Sequence, residues 1–298
     1  MEQMLKATNI VKMYGNKKVL DNVSMTINKG DIYGFIGKNG AGKTTFMRVI
    51  LSLTYPKTGE VKLFGDKTIS QVGLKVGSLI EAPGLYKNLT AYQNLERFSI
   101  LYGADVSKIP EILKSVGLEN TGKKKAKDFS LGMRQRLGIA IALLGDPELL
   151  LLDEPINGLD PEGIKEIRDL IVKLNKERNI TILISSHLLD ELSKVVTKYG
   201  IIDNGKMIEE ISAKELHEKC KQKLTIEVDD IEKAKKVISK EVKEENVKAI
   251  SDFEIEIKDE VDKAAKVNTA LVKAGVNVSA IYPNTDSLEE YFMQRIGE

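Results

Sequence analysis

The chain has 298 residues, room for two domains at about 150 residues each, with 42% apolar and 30% charged residues. Lys and Arg total 45 against 44 Asp and Glu, a formal net charge of +1, which excludes the global positive field of a nucleic-acid-coating protein. The single Cys220 excludes an intramolecular disulfide and a multi-cysteine metal cluster, and only His187 and His217 are available to a histidine metal site.

The apolar runs at 137–144 and 149–152 fall short of the roughly 18 residues that span a bilayer. The first six residues carry no long apolar core of a secretory signal. A cytoplasmic chain is therefore expected, and any membrane part of its function belongs to another chain.

Residues 19–27 and 32–36 read as strands joined by the turn Asn28-Lys29-Gly30-Asp31. The second is apolar on both faces, as in a sheet covered by helices. A glycine-rich loop follows, then a helix over 45–53 and strands over 60–64 and 76–80. Thr90 caps a helix running through Tyr102, 107–116 form another ended by Gly117, and Ser130 caps a third. The run 149–152 is a short buried strand, Pro161 opens a helix, 180–185 form a strand and 188–196 a helix. This alternation predicts an α/β fold with a helical insert over about 90–144.

Composition shifts after about residue 213. Residues 214–223 are polar and read as a connector. Strands at 224–228, 247–250, 253–257 and 276–281, with helices at 231–239 and 261–274, spell βαββαβ, the ferredoxin-like plan. A last helix over 286–295 closes the chain. The predicted domains are 1–213 and a small α+β module over 224–298, joined by the 214–223 connector.

Gly37-Lys38-Asn39-Gly40-Ala41-Gly42-Lys43-Thr44 fits G-x-x-x-x-G-K-[ST] between a predicted buried strand and a predicted helix. Glycines let successive backbone N–H groups point into one concavity that holds phosphate, and the helix N-terminus adds partial positive charge. Lys43 then reaches the β- and γ-phosphates and the Thr44 hydroxyl ligates Mg²⁺. Leu149-Leu150-Leu151-Leu152 ends in Asp153-Glu154, where Asp153 suits the Mg²⁺ site and Glu154 the attacking water.

With these motifs in order, residues 4–212 resemble the ATP-binding cassette (ABC) family. Phe129-Ser130-Leu131-Gly132-Met133-Arg134-Gln135-Arg136 resembles the family signature, Gly158-Leu159-Asp160 its D-loop, and His187 its switch histidine. Tyr14, 23 residues before Gly37, stands where the family stacks an aromatic on adenine. The resemblance implies an ATPase using ATP and Mg²⁺, with Thr45 also in the nucleotide loop. It implies a head-to-tail homodimer in which each ATP lies between one phosphate loop and the partner copy's signature serine and glycine, the counterparts of Ser130 and Gly132. His187 would hold the γ-phosphate, Asp160 would couple the two sites, and hydrolysis would reopen the dimer.

Two features depart from the family pattern, the signature and the position of Glu81. Leu131 and Met133 replace a Gly and the Gln of the usual Leu-Ser-Gly-Gly-Gln, and Glu81 stands where Gln contacts Mg²⁺ or water. Glu81 is therefore a candidate metal ligand and catalytic group. With the C-terminal module, these departures are similar to the ATPase subunits of bacitracin-type and lantibiotic self-protection exporters. The expected partner is a separate transmembrane permease, contacted through residues 81–90 and the helical insert, with the chain peripheral on the inner face of the cell membrane. A soluble ABC-type ATPase of DNA repair is the alternative, but those insert a long coiled coil, whereas only 85 residues separate Thr44 from Ser130 here. Ribosome-associated members carry two cassettes, and no second glycine-rich loop occurs. No nucleic-acid partner is expected.

Overall fold

A computed structural model of the chain describes residues 2–220, 222–258, 260–285 and 288–297. It divides into two compact units, residues 1–213 and 214–298.

The first unit opens with the antiparallel strands β1 (Gln3–Tyr14) and β2 (Lys17–Asn28), followed by β3 (Ile32–Ile36) and helix α1 (Lys43–Ile50). Then come β4 (Thr58–Leu63), the single turn α2 (Ile69–Val72) and β5 (Val76–Leu79). Helices α3 (Ala91–Tyr102), α4 (Ile109–Ser115) and α5 (Leu131–Ala142) form the insert. The unit closes with β6 (Leu149–Asp153), α6 (Pro161–Arg178), β7 (Thr181–Ser186), α7 (Leu189–Ser193), β8 (Lys198–Asp203) and β9 (Lys206–Ser212).

Two sheets result: β2-β1-β4, antiparallel, and β5-β6-β7-β3-β8-β9, parallel except for its last pair. Strands β3, β6 and β7 are buried along their whole length, which is why their sequences run apolar rather than alternating. One core cluster joins Leu5, Ile10 and Met25 of the small sheet to Phe35 and Leu183 of the large one through Phe46 and Met47 of α1.

The sequence expectation lacked β1, β8 and β9. Strand β1 has bulges and Asn9 at φ 51°, so its burial pattern never settles into a period of two. For β8 and β9 the cue was present: Asn204-Gly205, both at positive φ, make a two-residue hairpin loop that pairs Asp203 with Lys206. The helix expected over 188–196 is the shorter α7. The helix expected over 107–116 is a 3-10 turn, Val106–Lys108, leading into α4.

The second unit contains α8 (Ala213–Lys219, whose first residue closes the preceding unit), β10 (Gln222–Val228), α9 (Ile231–Ile238), β11 (Val247–Ala249) and β12 (Glu254–Lys258). It ends with α10 (Ala264–Lys273), β13 (Val278–Thr285) and α11 (Leu288–Gly297). The antiparallel sheet runs β11-β12-β10-β13, and Leu224, Ile226, Ile255 and Ile257 on one face pack with Ala234, Val267 and Leu271 of α9 and α10. The expected connector 214–223 is mostly α8, and its last residue, Lys223, already belongs to β10. The start of the last helix expected at Asp286 lies outside the described residues. Among the described residues no helix is long and apolar enough to cross a membrane.

Candidate functional site

Parallel register assembles the site. Ile36 pairs with Ser186 and Asp153 with Ser185, so β3, β7 and β6 end side by side at one sheet edge. In open parallel sheets this carboxyl end is where ligands bind. The loop 37–42 leaves β3 here and turns into α1. Gly42 caps α1 at φ 111°, a conformation that side chains rarely adopt. A Cβ on Gly37 would stand 2.4 Å from the Ile202 carbonyl oxygen, so the loop passes β8 too closely for any side chain. Lys38, Asn39 and Gly40 are exposed on the rim, Ala41 and Gly42 are buried, and Thr44 and Thr45 are half-buried.

Lys43 is 5% exposed and its ammonium donates to the Gly37 carbonyl at 2.5 Å and the Lys38 carbonyl at 3.3 Å. It also lies 3.1 Å from Glu154 Oε1. That carboxylate oxygen is buried and makes the ion-pair contact without a hydrogen bond of good geometry. Glu154 Oε2 is 2.9 Å from His187 Nδ1. Thr44 Oγ1 donates to Asp153 Oδ2 at 2.7 Å. The residue after Asp153 departs from the strand: Glu154 takes φ 49°, a strained value for a non-glycine residue, which turns the backbone at the sheet edge.

Ser185, not among the expected site residues, holds the two acids in place. Its hydroxyl donates to Asp153 Oδ1 at 2.6 Å and accepts from the Glu154 N–H at 2.9 Å. It is fully buried. A serine at the end of an apolar strand, beside the histidine already singled out, was the available cue. Ser185→Ala leaves a buried carboxylate oxygen and a backbone N–H without that partner. It is expected to cost about 1–3 kcal/mol in chemical denaturation and to lower ATP turnover.

Ser130, Gly132 and Asp160 gather elsewhere on the unit. Ser130 caps α5 by accepting from the Met133 N–H at 3.2 Å, and Asp160 caps α6 by accepting from the Gly163 N–H at 2.9 Å. Both helix starts line one open groove of about 500 Å³, with Arg136 and Glu166 at its side. No residue of the 37–44 loop lines that groove, so one chain carries phosphate loop and signature on separate surfaces.

Glu81 sits at φ 60° after β5, and its carboxylate accepts from Arg48 of α1 at 2.7 Å. Among the described residues no three His, Cys, Asp or Glu side chains gather as a metal group. Tyr14 ends β1, 49% exposed, with the Lys12 ammonium 5.0 Å from its ring centre.

A glycine-rich loop ahead of a helix, a buried lysine and a Thr–Asp pair at the end of a parallel sheet define a P-loop nucleoside triphosphatase. Residues 20–157 match the ABC transporter family. Over its whole length the chain is 43% identical to 98% of the bacitracin transport ATP-binding protein BcrA of Bacillus licheniformis. It is 46% identical, over 69% of its own length and 89% of the relative's, to the lantibiotic transport ATP-binding protein SrtF of Streptococcus pyogenes. The fold is similar to a dimeric bacterial ABC transporter cassette with TM-score 0.64 and 27% identity, over 70% of this chain and 99% of that one. The chain belongs to the ABC transporter family, as an ATP-hydrolysing, ATP-binding subunit.

Proposed function

We propose that the chain energises an exporter that removes a membrane-active peptide antibiotic, working as a head-to-tail homodimer against a separate permease. The relatives named for bacitracin and lantibiotic transport support the cargo class, and the full-length match to the former extends over both units. The separation of the Ser130 groove from the phosphate loop carries the dimer reading. A second copy is needed to bring the two surfaces together.

The residues fit Mg·ATP. The Gly37 and Gly42 cradle admits no Cβ, Lys43 is aimed along the loop, and Thr44 and Asp153 offer the hydroxyl and carboxylate that Mg²⁺ takes beside phosphate oxygens. Mg²⁺, when bound, supplies charge neutralisation at the β- and γ-phosphates. Lys43 holds the phosphates, with the start of α1 adding its partial positive charge. Glu154 accepts the proton of the attacking water, with His187 orienting the carboxylate through Nδ1. Tyr14 stacks on the base. Glu81 senses the permease through its exposed loop, held by Arg48.

The permease contact is assigned to residues 81–90. Tyr86 is 52% exposed, and its ring packs on Phe98 at 5.7 Å. The fully buried Asn94 anchors this loop, accepting from the Tyr86 N–H at 2.8 Å and donating to the Thr90 carbonyl at 2.8 Å. An ordered loop presenting an aromatic side chain is a suitable seat for a permease helix. Tyr86→Asp is expected to abolish co-purification with the permease while costing about 0.5–1.5 kcal/mol of stability for the lost Phe98 ring pair. Retained complex formation and coupled ATPase would remove this surface from the mapping. The strand order and βαββαβ succession of the second unit support a ferredoxin-like module. Deleting the gene in its host and challenging with a panel of peptide antibiotics tests the cargo class: sensitivity restricted to bacitracin or lantibiotics supports it, and unchanged resistance to all refutes it.

A further inference from the structure

The second unit is acidic overall, with 15 Lys and Arg against 19 Asp and Glu, a net of −4. Its sheet nevertheless carries a cavity of about 430 Å³ where Lys219, Lys223, Lys248, Lys258 and Arg295 converge, with Glu256 as the one carboxylate among the described lining residues. That volume is in the range of small-molecule sites. The register explains the convergence. Lys223 stands directly opposite Lys258, and Glu256 lies opposite Thr225 on one side and Lys248 on the other. Alternation puts these residues on the sheet face opposite the Leu224, Ile226, Ile255 and Ile257 core.

A like-charged pair set directly across an antiparallel ladder is destabilising. Lys223 and Glu256 are only 13% and 15% exposed and lie 3.4 Å apart as an ion pair on this face. On the same face, Thr225 is 1% exposed and its hydroxyl has no protein hydrogen-bond partner. Helix α11 supplies the remaining wall, with the Arg295 guanidinium 5.3 Å from the ring centre of Tyr291 and the Gln294 amide as a neutral donor. Phosphate is the anion that lysine ammonium and arginine guanidinium groups recognise together.

We propose that this cavity binds a phosphate-bearing ligand with at least two negative charges, as a site separate from the nucleotide loop. The test uses the full-length chain with its nucleotide site saturated by ADP and Mg²⁺. Inorganic pyrophosphate is titrated by calorimetry, and vesicles of phosphatidylcholine with or without phosphatidic acid are floated with the protein. Binding of pyrophosphate supports a soluble phosphate ligand, and flotation only with phosphatidic acid supports a lipid phosphate. In either case K248Q/K258Q should weaken binding at least ~10-fold, because two of the charges at the cavity are removed. The same variant should keep its ADP affinity and a Tm close to that of the unmodified chain, because losing the Lys248–Glu256 cross-strand pair offsets the relief of the Lys223–Lys258 repulsion. The single variant K248Q, at an exposed side chain, should show a smaller loss in the same direction. Failure of the unmodified chain to bind either probe at millimolar concentration, or equal binding by K248Q/K258Q, overturns the proposal.

Discussion

Glu154→Gln should reduce ATP turnover at least ~100-fold while leaving ATP binding within a few-fold of the unmodified chain, because a positioned general base contributes about 10²–10⁴ to rate. The substitution keeps the shape of the side chain that lies 3.1 Å from Lys43 and 2.9 Å from His187, and removes the carboxylate that can take a proton from water. Loops, lysine and the Thr44–Asp153 pair remain to hold nucleotide. ATP that binds without being hydrolysed should therefore accumulate a dimer visible in size-exclusion chromatography with Mg²⁺. Turnover within threefold of normal would move the proton acceptor elsewhere. Fast turnover loss with only monomer in the presence of ATP would refute the head-to-tail assembly.

Gly200→Ala is expected to destabilise the first unit by about 3 kcal/mol, at the upper end of the range for overpacking a filled core. A Cβ on Gly200 would stand 2.2 Å from the Tyr33 hydroxyl and 2.9 Å from its ring. Tyr33 has no room to yield: it is fully buried in β3, and its hydroxyl donates to Glu210 Oε1 at 2.6 Å. Tyr33→Phe alone should cost about 1 kcal/mol for the lost hydrogen bond, leaving Glu210 paired with Lys198. In the Gly200→Ala background it should restore part of the loss, since the nearest clash disappears and the ring contacts at 2.9 Å remain. Full additivity of the two substitutions in denaturant melts would show that the hydroxyl is not the obstacle.

Tyr33 also sets an alkaline limit. Burial first, and then the Glu210 carboxylate, push its phenol well above the ordinary value of 10.0. The folded chain keeps a proton that the unfolded chain releases near pH 10, so this contribution to stability is complete below that pH and is lost as the pH rises through the folded value. Tyr33→Phe should flatten the fall in stability on the alkaline side.

Much of the site was legible in the chain because its chemistry is local. Gly37 to Thr44 must be contiguous, since one loop and one helix start make the phosphate cradle, and Asp153-Glu154 must follow an apolar strand to reach it. Caps were legible for the same reason: Thr90 and Ser130 each bond a backbone N–H three residues on. Ser185 was missed because its role is a contact with residues 31 and 32 positions away, created only when β6 and β7 pair in parallel. Strand β1 was missed because bulges break the alternation by which a strand announces itself. The hairpin β8–β9 was marked by Asn204-Gly205 and could have been read.

The partner of Glu81 belonged to the fold. In sequence it is a departure at the position where the family has Gln, whereas packing of α1 against the chain after β5 gives it Arg48, 33 residues earlier. The basic cavity of the second unit is likewise absent from any run of residues, since Lys223, Lys248 and Lys258 meet only through strand register. A net charge of +1 over 298 residues averages over such places. By itself the sequence determined the family, the nucleotide loop, the acidic strand end and the two-part organisation, because each is written in contiguous residues or their spacing. Only the tertiary structure decided which side chains share a charge or a hydrogen bond, because those depend on strands brought together from distant parts of the chain.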